Sequence, residues 1–116
     1  MKQKLSREDF DSLVEEAVAR LPRVFREKLS NVAIEVADRP PQGEEDGTTL
    51  MGIFQGVPMT EKSVFQTAGP DRVILYQRNI EAACRTRKEL VREIRLTLLH
   101  ELGHYFGLSE DELEDI

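Results

Sequence analysis

Both histidines of this 116-residue chain lie in one segment, HELGH, where Glu101 directly follows His100 and His104 comes four residues after it. Residues four apart on a helix project their side chains to nearly the same place, and imidazole nitrogen is among the ligands zinc takes in its tetrahedral sites. On a helix, His100 and His104 are therefore placed to share one zinc ion. Glu101 neighbours the pair around the helix but is offset from it, so its carboxylate reaches a water on the metal without taking a coordination position. That offset suits a general base. The bland alternative is a pair of hydrogen-bonded histidines at the core edge, and the confinement of both histidines to this spacing weighs against it.

A third ligand has several candidates. Gly107 follows His104 by three residues and allows the left-handed turn that ends a helix and reverses the chain. Such a reversal can bring the carboxylate of Glu110 under the two imidazoles and leave a fourth position for water. Ser109 with Glu112 is also a capping-box pattern, in which Glu110 and Asp111 are first-turn acids. Glu110 is the favoured ligand; Asp111, Glu112 and the upstream Glu93 stay open.

The element that must carry the pair is a long helix from Thr86 to Phe106. At about 100° per residue, Leu90, Val91, Ile94, Leu98, Leu99, Leu102 and Phe106 cover roughly half of its circumference, which makes it central to the fold. His100 and His104 share a stripe with Glu93, Leu96 and Thr97 beside that arc. Tyr105 points toward the arc and is expected in the core.

Upstream, Ser6 is a candidate N-cap for a helix whose apolar face is Phe10, Leu13, Val14, Ala17, Val18 and Leu21. Pro22 ends or restarts it, and Arg23 to Leu29 reads as a second short helix. Val32, Ile34 and Val36 alternate with Ala33, Glu35 and Ala37 as a half-buried strand does. RPPQGEEDGTT is a loop, its acids a solvated face. Thr49 to Val57 reads as a strand in which Gly52 and Gly56 mark a bulge or a close backbone approach. Pro58 to Asp71 reads as loop, and RVILYQRNI, Arg72 to Ile80, is the strongest strand pattern in the chain. Met51 and Met59 are expected to pack.

Composition narrows the function. The formal charge of −6 comes from acids spread along the chain, with no basic block to attract phosphate backbones, so nucleic acid is an unsuitable partner. No stretch of about 20 apolar residues is present for a membrane span, and no apolar run follows the N-terminal lysines as in a secretion signal. A soluble, cytoplasmic, single-domain protein spanning residues 1–116 is expected. Cys84 is the lone cysteine, so no internal disulfide forms, and it is expected as a small buried residue rather than a nucleophile.

HELGHYFGLSE resembles the extended zincin signature H-E-x-x-H-x-x-G-x-x-[HD], with glutamate at Glu110 where that signature carries histidine or aspartate. GIFQGVP, DRVILYQRNIEAACRT and LLHELGHYFGLSEDEL look like a family of small bacterial zincin-like metallopeptidases, sometimes called mini-zincins. The resemblance covers more than half of the chain. It implies an α+β fold, with a small mixed sheet of about three strands beside the zinc helix and helices packed around it. It also implies peptide-bond hydrolysis, with zinc held by His100, His104 and Glu110 and with Glu101 as the base.

An extended peptide substrate is expected to add as a strand to the open sheet edge. Tyr76 and Arg78, alternating onto one face of the best strand, are candidate donors to a developing oxyanion, against a packing or ion-pair role. Only a dozen residues follow His104, so a second copy or another protein is a candidate to complete the cleft. The competing function is a non-catalytic zinc-binding interaction module, against which the intact Glu101 argues.

Overall fold

The computed structural model describes residues 5–29, 32–41, 50–56 and 71–105, apart from the side chains of Lys28, His104 and Tyr105. The expectations for Glu110, Asp111, Glu112, Gly107, Phe106, Met59, and most of the two loops lie outside the described residues, as do those for the side chains of His104 and Tyr105.

Ser6 has an extended backbone, and its hydroxyl accepts from the Asp9 N–H at 3.0 Å. It thereby satisfies one of the amides that a first helical turn leaves without a partner. Helix α1, Arg7–Ala19, follows and buries Phe10, Leu13, Val14 and Ala17, four of the six positions its periodicity marks. Leu21 is buried just beyond the helix. The carbonyl of Pro22 accepts from the Phe25 and Arg26 amides and opens α2, Arg23–Lys28.

Among the described residues three strands form one mixed sheet: β1, Val32–Ala37; β2, Gly52–Gln55; and β3, Asp71–Tyr76. Their order is β1-β3-β2, with β3 central, parallel to β1 and antiparallel to β2. Ile34 stands opposite Val73, and Val73 opposite Phe54, so these three share a face. On that face Val73 and Leu75 are fully buried, and Ile34, Val36 and Phe54 pack against the core. The opposite face carries a polar row, in which Arg72 donates to Gln55 at 2.8 Å and to Glu35 at 3.3 Å.

RVILYQRNI is a strand only as far as Tyr76. From Gln77 the chain turns directly into α3, Gln77–Ala83, which buries Gln77, Asn79, Ile80 and Glu81. The period of two stops where polar residues find partners remote in sequence. The Asn79 side-chain amide donates to Leu50 O at 2.8 Å, and the Arg78 backbone N–H donates to Asp38 O at 3.0 Å. Glu81 accepts from the Leu5 N–H at 2.9 Å, from Gln77 Nε2 at 3.2 Å and from the Arg78 guanidinium at 2.8 Å. Arg7 extends this network to Gln77, Val36 O and Asp38, joining α1, β1 and α3.

Helix α4, Arg87–Tyr105, completes the described core. It packs on α1, on α3 and on the apolar face of β2 and β3. Leu90, Val91, Ile94, Leu98, Leu99 and Leu102 are all buried, as the central role of this helix requires. Among the described residues no helix is long and apolar enough to cross a membrane.

Candidate metal and catalytic centre

The start of α4 is set locally by a capping box. The Glu89 N–H donates to Thr86 Oγ1 at 3.1 Å, and the Glu89 carboxylate accepts from the Thr86 N–H at 3.2 Å and from the Arg85 N–H at 2.5 Å. From that start, 3.6 residues per turn send the leucine stripe into the core and bring His100 out on the exposed side. Thr97 and Leu99 are buried on either side of the core stripe, while Leu96 and Glu101 are half-buried at its margin.

His100 Nδ1 lies 3.0 Å from the backbone oxygen of Leu96. A carbonyl only accepts, so this contact requires the proton to be on Nδ1. In the tautomer that donates from Nδ1, the nitrogen left with a lone pair is Nε2. This is the backbone tether that metal-binding histidines commonly use to set tautomer and ring orientation.

Glu101 turns the other way, toward the sheet. Its Oε2 accepts from the Phe54 N–H at 3.0 Å. The ladder shows where that N–H points. Tyr76 N–H donates to Met51 O at 2.9 Å, which makes Met51 and Tyr76 a hydrogen-bonded pair. By antiparallel alternation Ile53 and Gln55 also face β3, while Gly52 and Phe54 direct their N–H and C=O groups away from it. Glu101 therefore lies at the edge of β2 opposite the side that pairs with β3, an edge on which no strand is placed among the described residues.

Two glycines shape this edge. A Cβ on Gly52 would come within 2.8 Å of the Thr97 methyl and 2.9 Å of the Ile74 carbonyl oxygen, so the missing side chain permits the close approach of α4. Gly56, with φ of +151°, ends the strand in a backbone conformation that side chains disfavour, and the Asp71 carboxylate fills the space a Cβ would take. The close-approach reading of Gly52 holds.

The structure brings His100 and Glu101 to adjacent positions on α4 with distinct partners, and the backbone of His104 falls on the same helix one turn further on. Among the described residues no group of three metal-binding side chains is assembled. Glu93, an alternative ligand, is half-buried and adds to the field on Cys84. Tyr76 and Arg78 are not neighbours on a strand face, because the helix begins between them. Tyr76 is buried at the end of β3, and the Arg78 guanidinium is taken up by Glu81 and Leu5 O. Arg78 thus makes the ion pair that was weighed against a donor role. Cys84 is buried, and burial, with the Glu93 carboxylate second, pushes its thiol above the ordinary range. Met51 packs against the core as expected.

Residue types in the chain point to His100 and Glu101 but not to Phe54, whose contribution is a main-chain N–H common to all residues but proline. The one available signal was Gly52 inside a strand pattern.

A family model for zincin-like metallopeptidases matches residues 29–116. The chain belongs to the zincin-like metallopeptidase family. A solved structure of a conserved hypothetical protein from Thermo thermophilus resembles the chain with a TM-score of 0.56 and 25% sequence identity, over 88% of this chain and 94% of that one. No curated protein sequence matches. The α+β architecture with its three described strands is that expected of a small zincin-like domain.

Proposed function

We propose that the chain is a zinc-dependent peptidase in which His100, His104 and Glu110 hold one zinc ion and Glu101 is the general base. The carrying observation is the position of Glu101: a carboxylate one residue after a tethered, exposed histidine, lying at the edge of β2 that faces away from β3. The main-chain groups of this edge that Glu101 does not engage are where an extended peptide would add as a strand, without demanding a particular sequence. The base and the docking edge thus adjoin.

The donor chemistry fits zinc. The tether at Nδ1 directs the lone pair of His100 to Nε2, and two nitrogens with one carboxylate oxygen make a three-ligand set of the kind found in catalytic zinc sites. Zinc, when bound there, supplies Lewis acidity that brings the pKa of a coordinated water to about 7. Glu101 would take a proton from the attacking water at its carboxylate and pass it to the leaving amine, as the water oxygen bonds to the carbonyl carbon and the C–N bond breaks. The buried leucines of α4 hold both residues on a rigid element, so the base does not depend on a loop for its position. The lone cysteine is in keeping with a cytoplasmic site of action.

Metal analysis and peptide cleavage, run together on the zinc-loaded chain and on Glu101→Ala, test the reading. The expected result is one zinc in both proteins and hydrolysis only in the wild type. Zinc without hydrolysis in the wild type would instead support a non-catalytic zinc-binding module, and full activity in Glu101→Ala would remove Glu101 as the base.

A further inference from the structure

Helix α4 and strand β2 meet at two points in step. Thr97 lies against Gly52, and one helical turn later Glu101 meets the N–H of Phe54, two strand residues later. Four helical residues advance about 6 Å and two strand residues about 6.8 Å, so the two elements run alongside each other in the same direction through both contacts. The first contact admits no side chain on the strand. The second is polar and brings a carboxylate oxygen to 3.0 Å from an amide that faces out of the sheet.

We infer that the backbone amide of Phe54 is a positioning group for Glu101, fixing the carboxylate on the strand to which a substrate main chain would add. The inference rests on the proposed peptidase reading for its catalytic consequence, while the positioning itself does not depend on it. A glutamate has three side-chain torsions, and a half-buried one at a helix margin samples several rotamers unless something holds its end. An N–H donating to a carboxylate is a charge-assisted bond, stronger than one between neutral groups. Its donor belongs to β2, whose distance from α4 is set by Gly52. The orientation of Glu101 is therefore referenced to the sheet edge rather than to its own helix alone. Phe54 keeps its ring in the core, which anchors the amide from the other side.

Two measurements on the full chain test this. In amide hydrogen exchange followed by NMR, the Phe54 amide is expected to exchange roughly tenfold faster in Glu101→Ala than in the wild type, with the ladder amides of Ile53 and Ile74 changed less than about twofold. Equal Phe54 exchange in the two proteins would overturn the proposal, whether or not the chain cleaves peptides. For the catalytic consequence, Phe54 is replaced by phenyllactate, an ester that removes this N–H and keeps the ring, and that weakens the Ile53 carbonyl as an acceptor toward β3. With zinc added and denatured casein as substrate, the ester variant is expected to bind zinc within about twofold of wild type while kcat falls about tenfold and KM changes little. An unchanged kcat in the ester variant would overturn it. If the wild type does not cleave casein, the peptidase reading is what fails, and the exchange measurement alone decides the positioning.

Discussion

The methyl group of Thr97 occupies the space that a side chain on Gly52 would need. Through this contact the helix carrying HELGH lies close enough to β2 for Glu101 to reach the strand. Gly52→Ala forces its new methyl against Thr97 and against the backbone oxygen of Ile74. Overpacking of this kind costs about 1–3 kcal/mol. Thermal unfolding should show that loss, and Gly52→Ala combined with Thr97→Ser should recover part of it, because only the Thr97 clash is removed. A Gly52→Ala chain as stable as wild type would mean that α4 and β2 are not held so close.

Zinc should stabilise the fold, since a ligand that binds only the folded state adds to folding free energy. Adding zinc is expected to raise the unfolding temperature of the wild type and to leave His100→Ala and His104→Ala nearly unmoved; chelation should reverse the gain. Calorimetric scans with and without zinc make the comparison. An equal zinc response in His104→Ala would exclude that residue as a ligand.

Glu81 gives the fold an acid-sensitive point. Burial pushes its carboxyl up, but hydrogen bonds from the Leu5 N–H, Arg78 and Gln77 outweigh it and hold the group below its ordinary range. A carboxyl with a depressed folded pKa contributes stability that is present above its unfolded pKa, about 4.3, and is lost as pH falls through the folded value. Urea titrations should therefore show the wild type losing more stability than Glu81→Gln as the pH is lowered from about 5 to 2. At neutral pH Glu81→Gln should be the less stable by about 1–3 kcal/mol, for want of charge-assisted bonds. Parallel pH profiles in the two proteins would contradict the assignment.

Cys84 should be unreactive in the folded protein. Its thiol is buried and raised, so little thiolate is present at neutral pH. Alkylation by iodoacetamide at pH 7.5 is expected to be at least about tenfold slower than in urea-unfolded chain, a ratio that mass spectrometry reads directly. Rapid labelling without denaturant would place Cys84 at the surface.

Much of the scaffold was legible in the chain because it is encoded by local rules. Ser6 at a helix start, the 3.6-residue stripes of α1 and α4 and the alternation in β1 each depend on neighbours a few residues away. The boundary at Tyr76 was not legible. RVILYQRNI keeps its strand-like composition through Ile80, and what bends it into a helix is a set of bonds from Gln77, Arg78, Asn79 and Glu81 to Leu5, Asp38 and Leu50, which adjoin only in the folded protein.

The same division runs through the site. The expectation that His100 and His104 share a side of one helix with Glu101 offset from them came from the sequence, because residues one helical turn apart project in nearly the same direction. Which nitrogen of His100 meets the Leu96 carbonyl was decided by the folded helix, and the direction of Glu101 by the edge of β2. Helical periodicity specifies an angle around one axis and nothing about what lies beside it. The distance from that axis to a strand some fifty residues earlier is a property of packing, and at Gly52 it rests on the absence of a single methyl group.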